Sequence, residues 1–517
     1  MQRQLVFGLD AADWTLIRRF VAAGKLPTFQ RLLREGTHGT LRSTARVLPD
    51  TVWSCIYSGQ NPASFDKYFY VQYDPRTRDL RHVEDDGFTK RPFWKLLSDA
   101  GQRVGVVDAV KYPCTRPLNG FMIANWGAHA TKSPKASTPE GLWAEAERRF
   151  GRNPVGDVDR IDASLESRRD MRDRLLRGAA MRKELLTWLV REQRWDVFFA
   201  GFSELHQVGH HYWHGVDPTH ERHAEIVAQG LADSIERVYA AVDDAIGATI
   251  AAAGPDVRVM VLAGHGMGPL RHASWHLGEI LELWGYGRSP ARRLPEATVA
   301  RPAKASFWRK LKLVVPGRLQ YAIKNRLPKS WQDELLFRWY AGRRDWTGWR
   351  AFAVPNNDTV GAIRIAVRGR DKDGSVAPGA EYAALCDELS QKLLALTDPE
   401  SGRRVVAEVI RLHDETHGPY REQLPDLCVL WDQSFVWTKV HSPDFGTLAV
   451  RSQDSRTGSH VPLGFFIATG ADIQAGAELH GHSIYDVAPT ILAAAGVPLP
   501  GDLDGRPIPL ASQTVRA

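Results

Sequence analysis

The chain has 517 residues, 43% of them hydrophobic and 25% charged, with 44 glycines and 30 prolines. That is the profile of a folded globular protein, and it excludes a disordered chain, a coiled coil and a collagen-like repeat. The formal charge is +7, and residues 301–350 alone hold 13 Lys/Arg against 3 Asp/Glu.

Strands and helices are predicted to alternate. Leu5-Val6-Phe7-Gly8-Leu9 is a short apolar run suited to a buried parallel strand, with Asp10 at its end, and Trp14–Ala23 then shows a helical period. Val104–Val110 reads as a second strand. The helical stretch Leu165–Arg194 leads to a third, Trp195–Gly201, and the helix Ile235–Ala253 leads to a fourth, Val257–Ala263. Regular structure resumes with the strand Ala362–Val367, the helix Glu381–Leu396 and the strand Leu427–Trp431. The strand Gly464–Thr469 and the helix Ile484–Ala495 follow. This order predicts an α/β fold with a mostly parallel central sheet sandwiched by helices. Residues 1–268 read as the first part of that core and 351–517 as the second. Residues 269–350 read as a basic, Trp-rich insertion or lid between them.

Within the insertion, Trp308, Trp331, Trp339, Trp346 and Trp349 are interleaved with the basic residues. The mixture suits a solvated surface, a cationic cover over an anionic substrate, or contact with an anionic membrane surface. No nucleic-acid-binding motif accompanies it. No apolar run approaches the ~20 residues that span a bilayer. The N-terminus carries no pattern of a secretory signal. Cys55, Cys114, Cys386 and Cys428 are widely spaced, as expected of free thiols in a reducing cytoplasm.

Four strand ends offer metal-type ligands. Asp10 follows the first strand, at the sheet edge where open α/β folds bind ligands, although a lone Asp there also suits a helix cap. Glu204-Leu205-His206-Gln207-Val208-Gly209-His210 follows the third; on a helix, His206 and His210 share one face and grip a single ion, with His211 and His214 nearby. His265 stands between Gly264 and Gly266 after the fourth, and His460 follows Gly458-Ser459. One carboxylate and several imidazoles form a set suited to zinc.

The segments GLDAADWTLIRRFVAAGKLPTFQRLLREGTHGTLRST, WSCIYSGQNP, FSELHQVGHHYWH, VLAGHGMGP, IRIAVRGRDKDGSVAPGAEY, PDLCVLWD, GSHVPLGFFIATG and HSIYDVAPTILAAAGVPLPGDLDGRPI resemble, in this order, the alkaline phosphatase superfamily. Within it the resemblance is to the type I phosphodiesterase/nucleotide pyrophosphatase family, and it leaves mainly 126–190 and 270–350 unmatched. It implies a large α/β sandwich assembled from both ends of the chain and one or two divalent ions, zinc above all. It also implies a Thr or Ser nucleophile at a helix N-terminus. Carried over, Asp10 and His265 belong to the metal site that holds the nucleophile, and His210 and His460 to the other. His206 stands where the family usually has Asp, and Gly264 where it has another Asp. The usual nucleophile position falls on Pro49, which cannot react. Thr51, two residues later, is the candidate nucleophile and metal ligand, with Ser54 a second choice. Asp50 and Glu204 are candidate substitute ligands or hydrogen-bond partners of one.

The expected activity is metal-dependent hydrolysis of a small anionic phosphate mono- or diester through a phosphothreonine at Thr51. Alternatives are phospho- or sulfo-group transfer at the same site, and a degenerate binding protein that keeps the fold. Sulfatase chemistry is disfavoured, because Cys55 lacks the Cys-x-Pro-x-Arg context.

Overall fold

A computed structural model describes residues 2–83, 90–128, 134–155, 164–272, 276–287, 290–291, 293–294, 298–299, 346–357, 359–450 and 456–510. The chain divides into two compact units. The first comprises Met1–Phe65, Glu84–Pro269 and Ser455–Ala517, and the second Asp66–Val83 and Leu270–Asp454.

The first unit is built on a nine-stranded sheet in the order Glu478–Ser483, Thr37–Arg42, Leu463–Thr469, Val257–Ala263, Arg3–Leu9, Val197–Phe202, Val104–Val107, Gly120–Ala124, Ala136–Thr138. The strand Arg3–Leu9 lies at its centre, parallel to both Val197–Phe202 and Val257–Ala263. The next two strands, Val104–Val107 and Gly120–Ala124, continue the parallel run. Leu463–Thr469 enters antiparallel beside Val257–Ala263, so the C-terminal part of the chain completes the sheet begun by the N-terminal part. The mixed α/β architecture with a mostly parallel sheet is therefore as the alternation of elements predicts.

Side chains alternate across this sheet with period two, and both faces are buried. Leu5, Phe7 and Leu9 join one apolar core with helices Trp14–Ala22, Leu165–Glu192 and Ser234–Ala253. Val6 joins a separate core with helices Val52–Ser58, Phe93–Asp99 and Val487–Ala494. Covering both faces leaves the strand ends as the place where polar side chains can meet.

The second unit has its own core around a four-stranded antiparallel sheet, in the order Ala351–Val354, Val360–Ile365, Leu427–Trp431, Val406–Arg411. Helices Leu277–Leu283 and Ala380–Leu394 belong to it. The sequence reading assigns all of 351–517 to the core sheet, whereas 351–450 builds this separate sheet and only the segments after 455 return to the nine-stranded one. Short strands with turn-rich connections carry no signal of which sheet they join. Residues 301–345 of the basic insertion lie outside the described residues.

Among the described residues no helix is long and apolar enough to cross a membrane. The four cysteines form no disulfide.

Candidate metal centre

The strand Arg3–Leu9 ends in Asp10, whose backbone N–H still bonds to Phe202 O at 2.8 Å. The next residue, Ala11, has φ +58°, and this sharp turn takes the chain off the sheet edge. Helix capping falls to Asp13, whose carboxylate accepts from Leu16 N at 2.9 Å, and so leaves Asp10 available to the site.

The strand Val197–Phe202 leads directly into a helix, Glu204–Val216, that carries His206, His210 and His214 at four-residue spacing. His206 Nε2 lies 3.0 Å from His210 Nε2, as the shared helix face predicts. After Val257–Ala263 comes His265, followed by the short strand Gly266–Pro269, which pairs antiparallel with Gly458–Val461 and sets Met267 opposite His460. This two-stranded ribbon brings His460 to the cluster, its ring centroid 4.3 Å from that of His265 and 4.9 Å from that of His206.

The ribbon is fastened to the histidine helix. Thr457 N donates to His210 O at 2.8 Å, His210 Nδ1 lies 2.7 Å from Gly458 O, and His214 Nδ1 lies 2.9 Å from Thr457 Oγ1. A Cβ at residue 458 would stand 2.2 Å from Gly209 O, so only glycine permits the approach.

Asp10 is 2% exposed, His206 and His210 5%, and His265 3%. Asp10 Oδ2 faces His206 Nδ1 at 3.0 Å, Oδ1 faces His265 Nε2 at 3.6 Å, and Trp53 Nε1 donates to Oδ1 at 2.8 Å. Burial works to raise the Asp10 pKa, but His206 and His265 hold it well below the usual carboxylate value. Burial pushes His210 and His460 well below the usual imidazole value, and the neighbouring imidazoles push the same way. The set is one carboxylate and four imidazoles, and a ring nitrogen without a proton offers its lone pair to a metal.

Two sets of three have their ligand atoms within 4.8 Å of one another: His206, His210 and His460, and Asp10, His206 and His265. All five predicted histidine and aspartate ligands are thus brought together.

Thr51, Asp50 and Glu204 face other partners. Thr51 is 1% exposed; its hydroxyl donates to Leu48 O at 2.7 Å and lies 3.1 Å from Thr44 Oγ1. Asp50 is paired with Lys111 Nζ. Glu204 Oε1 accepts from Arg182 Nε at 2.8 Å and turns to that guanidinium instead of to a histidine, because a fully buried carboxylate needs a charged partner. Arg182 Nη1 also reaches Asp108 Oδ2 at 2.8 Å. Asp108 in turn accepts from the backbone N–H groups of Trp126 and Gly127. This buried group ties together the loops after three parallel strands.

Sequence reasoning missed Trp53, Asp13 and Arg182. Arg182 alone left a signal: it falls on the apolar stripe of its helix, with Leu175, Ala179, Leu186 and Leu189.

The pattern of the type I phosphodiesterase/nucleotide pyrophosphatase family matches residues 4–460. The chain belongs to this family. That membership supports a phosphoester hydrolase. Among solved structures, the phosphonoacetate hydrolase from Sinorhizobium meliloti 1021, solved in complex with phosphonoacetate, superposes with a TM-score of 0.50 at 16% identity, covering 94% of each chain. Human ectonucleotide pyrophosphatase/phosphodiesterase 5 gives 0.44 at 11% identity, covering 96% of each chain. Its murine counterpart, solved with AMP, gives 0.44 at 12% identity, covering 97% of this chain and 96% of that one. No curated protein matches the chain.

Proposed function

We propose that this chain hydrolyses a small anionic phosphate ester in a metal-dependent reaction at the cluster of Asp10, His206, His210, His265 and His460. The observation that carries the reading is the convergence of one carboxylate and four imidazoles at the C-terminal edge of the parallel strands, from four separate parts of a family-type fold. Borderline nitrogen donors with a single carboxylate fit a divalent ion of the zinc type. Such an ion supplies Lewis-acid polarisation of the phosphoryl group and lowers the pKa of a bound hydroxyl or water.

The protein's own groups would do the rest. The Gly458 carbonyl and the Asp10 carboxylate orient the imidazoles of His210 and His206. Thr51 is the proposed nucleophile. Its Oγ1 loses a proton and bonds to phosphorus as the ester P–O bond breaks and the leaving oxygen takes up a proton. Water then cleaves the phosphothreonine, restores the hydroxyl and releases the product. In this step the Thr51 hydroxyl exchanges its bond to Leu48 O for the substrate.

Turnover of p-nitrophenyl phosphate and bis-p-nitrophenyl phosphate tests the reading. Loss of turnover with a chelator and return with zinc supports metal dependence; turnover indifferent to both overturns it. A phosphorylated Thr51 trapped by acid quench, absent in Thr51→Ala along with turnover, supports the covalent route. Full turnover in Thr51→Ala excludes it.

A further inference from the structure

The two ligand sets at the sheet edge share His206, and they are unequal. A neutral imidazole offers one lone pair, since its other nitrogen carries the proton. His206 Nε2 is directed at His210 Nε2, 3.0 Å away, while Nδ1 is 3.0 Å from Asp10 Oδ2. This is how a carboxylate orients a metal-binding imidazole from behind. His210 repeats the arrangement, with Nδ1 against Gly458 O and Nε2 turned inward.

With His206 assigned to the histidine set, Asp10 and His265 are left as a pair. Asp10 Oδ1 already accepts from Trp53 Nε1. No third ligand can be supplied by residue 264: a Cβ there would fall 2.3 Å from Val52 Cγ1 and 2.6 Å from Ile56 Cδ1. The space a carboxylate would need beside His265 is filled with hydrocarbon, and a carboxylate in it would lose its hydration. Asp50 is paired with Lys111, and in the resting protein the Thr51 hydroxyl bonds to Leu48 O.

We infer that this chain holds one tightly bound divalent ion, on His206, His210 and His460, with Asp10 as the positioning carboxylate of His206 and no second ion of comparable affinity. The inference rests on the metal-dependent reading above. Three neutral ligands leave the ion its full double charge and an open position, a centre matched to an anionic phosphoryl group.

The test is calorimetric titration of zinc into chelator-stripped full-length protein, with metal content measured after gel filtration and phosphate-ester turnover measured on the same samples. One tight step and one zinc per chain are expected. His460→Ala should weaken that step by 100-fold or more, with circular dichroism confirming the fold. Asp10→Asn should weaken it about 10- to 100-fold at unchanged stoichiometry. His265→Ala should leave it within about threefold. Two ions of comparable affinity in the wild type overturn the inference, and so does the absence of any tight step. A fall from two ions to one in Asp10→Asn or His265→Ala does the same. The wild-type stoichiometry decides the matter even where a variant misfolds. One zinc without turnover on any phosphate ester sinks the hydrolase reading and leaves the single-ion centre standing; two zinc with turnover does the reverse.

Discussion

The indole of Trp53 donates its N–H to Asp10 Oδ1 at 2.8 Å, inside a setting where both residues are nearly inaccessible to water. The helix Val52–Ser58 therefore reaches the first strand's terminal carboxylate through an aromatic side chain. Trp53→Phe keeps most of the packing and removes the donor, leaving a buried charged acceptor one partner short. A loss of about 1–3 kcal/mol in stability is expected from urea unfolding. Zinc affinity should fall about 10-fold or more, because Asp10 orients His206. Unchanged unfolding and affinity would show that the bond contributes nothing.

Arg182 carries a different load. Its guanidinium pairs with both Asp108 and Glu204, all three with side chains at 0% exposure. Arg182→Met removes the only charge in that buried trio that balances two carboxylates. The expected cost is about 3–5 kcal/mol by urea denaturation. Arg182→Lys should recover only part, since an ammonium cannot hold the two carboxylates and the Gly127 and Gly201 carbonyls with one planar fork. A loss below about 1 kcal/mol in Arg182→Met would contradict this account.

The histidine helix also sets an acid limit on stability. Burial, together with the positive charges of Arg168 and Arg222, pushes His214 down to about 3. The unfolded chain titrates this imidazole near its ordinary value, about 6.5. The depressed native value means that the unfolded state binds more protons between those two pH values. Its contribution is complete above about pH 6.5 and is lost as pH falls toward about 3. His214→Gln should flatten the pH dependence of unfolding stability in that window by up to about 1.4 kcal/mol per pH unit, the value of one proton. Parallel curves for wild type and variant would rule out the assignment.

Gly458 joins the ribbon to the helix. Gly458→Ala places a Cβ against Gly209 O, a backbone atom that cannot swing aside. About 1–3 kcal/mol of destabilisation is expected, the usual cost of overpacking. The ribbon that carries His460 should shift with it, so zinc affinity should drop more than it does in Gly501→Ala, whose added methyl meets no atom within 4 Å and whose backbone is not left-handed. Equal affinity in the two variants would count against a positioning role for the ribbon.

Much of this architecture is written in local sequence. The apolar runs ending at Asp10 and at Gly264 become strands because both faces of the sheet are buried, and a parallel strand buried on both sides needs a continuous apolar run. The i, i+4 spacing of His206 and His210 fixes their shared face, since a helix repeats every 3.6 residues. The ordered family segments point to the same fold, and the family match over 4–460 agrees with them. Local pattern fails where long-range pairing decides. Gly266–Pro269 and Gly458–Val461 lie almost two hundred residues apart, and neither reads as a strand until the other supplies its hydrogen bonds. In the second unit the strands around Ala362–Ile365 and Leu427–Trp431 are legible locally, but that they pair with each other in a separate sheet is not.

What the sequence determined by itself is which residue types gather around the strand ends: one Asp and four His, with Gly264 beside His265. The tertiary structure alone decides what each one faces. It turns Glu204 to Arg182, Asp50 to Lys111 and the Thr51 hydroxyl to Leu48 O, and it fills the space beside Gly264 with Val52 and Ile56. Buried polar groups must find partners and buried volume must be filled. Both demands are met by neighbours in space, which no local stretch of sequence specifies.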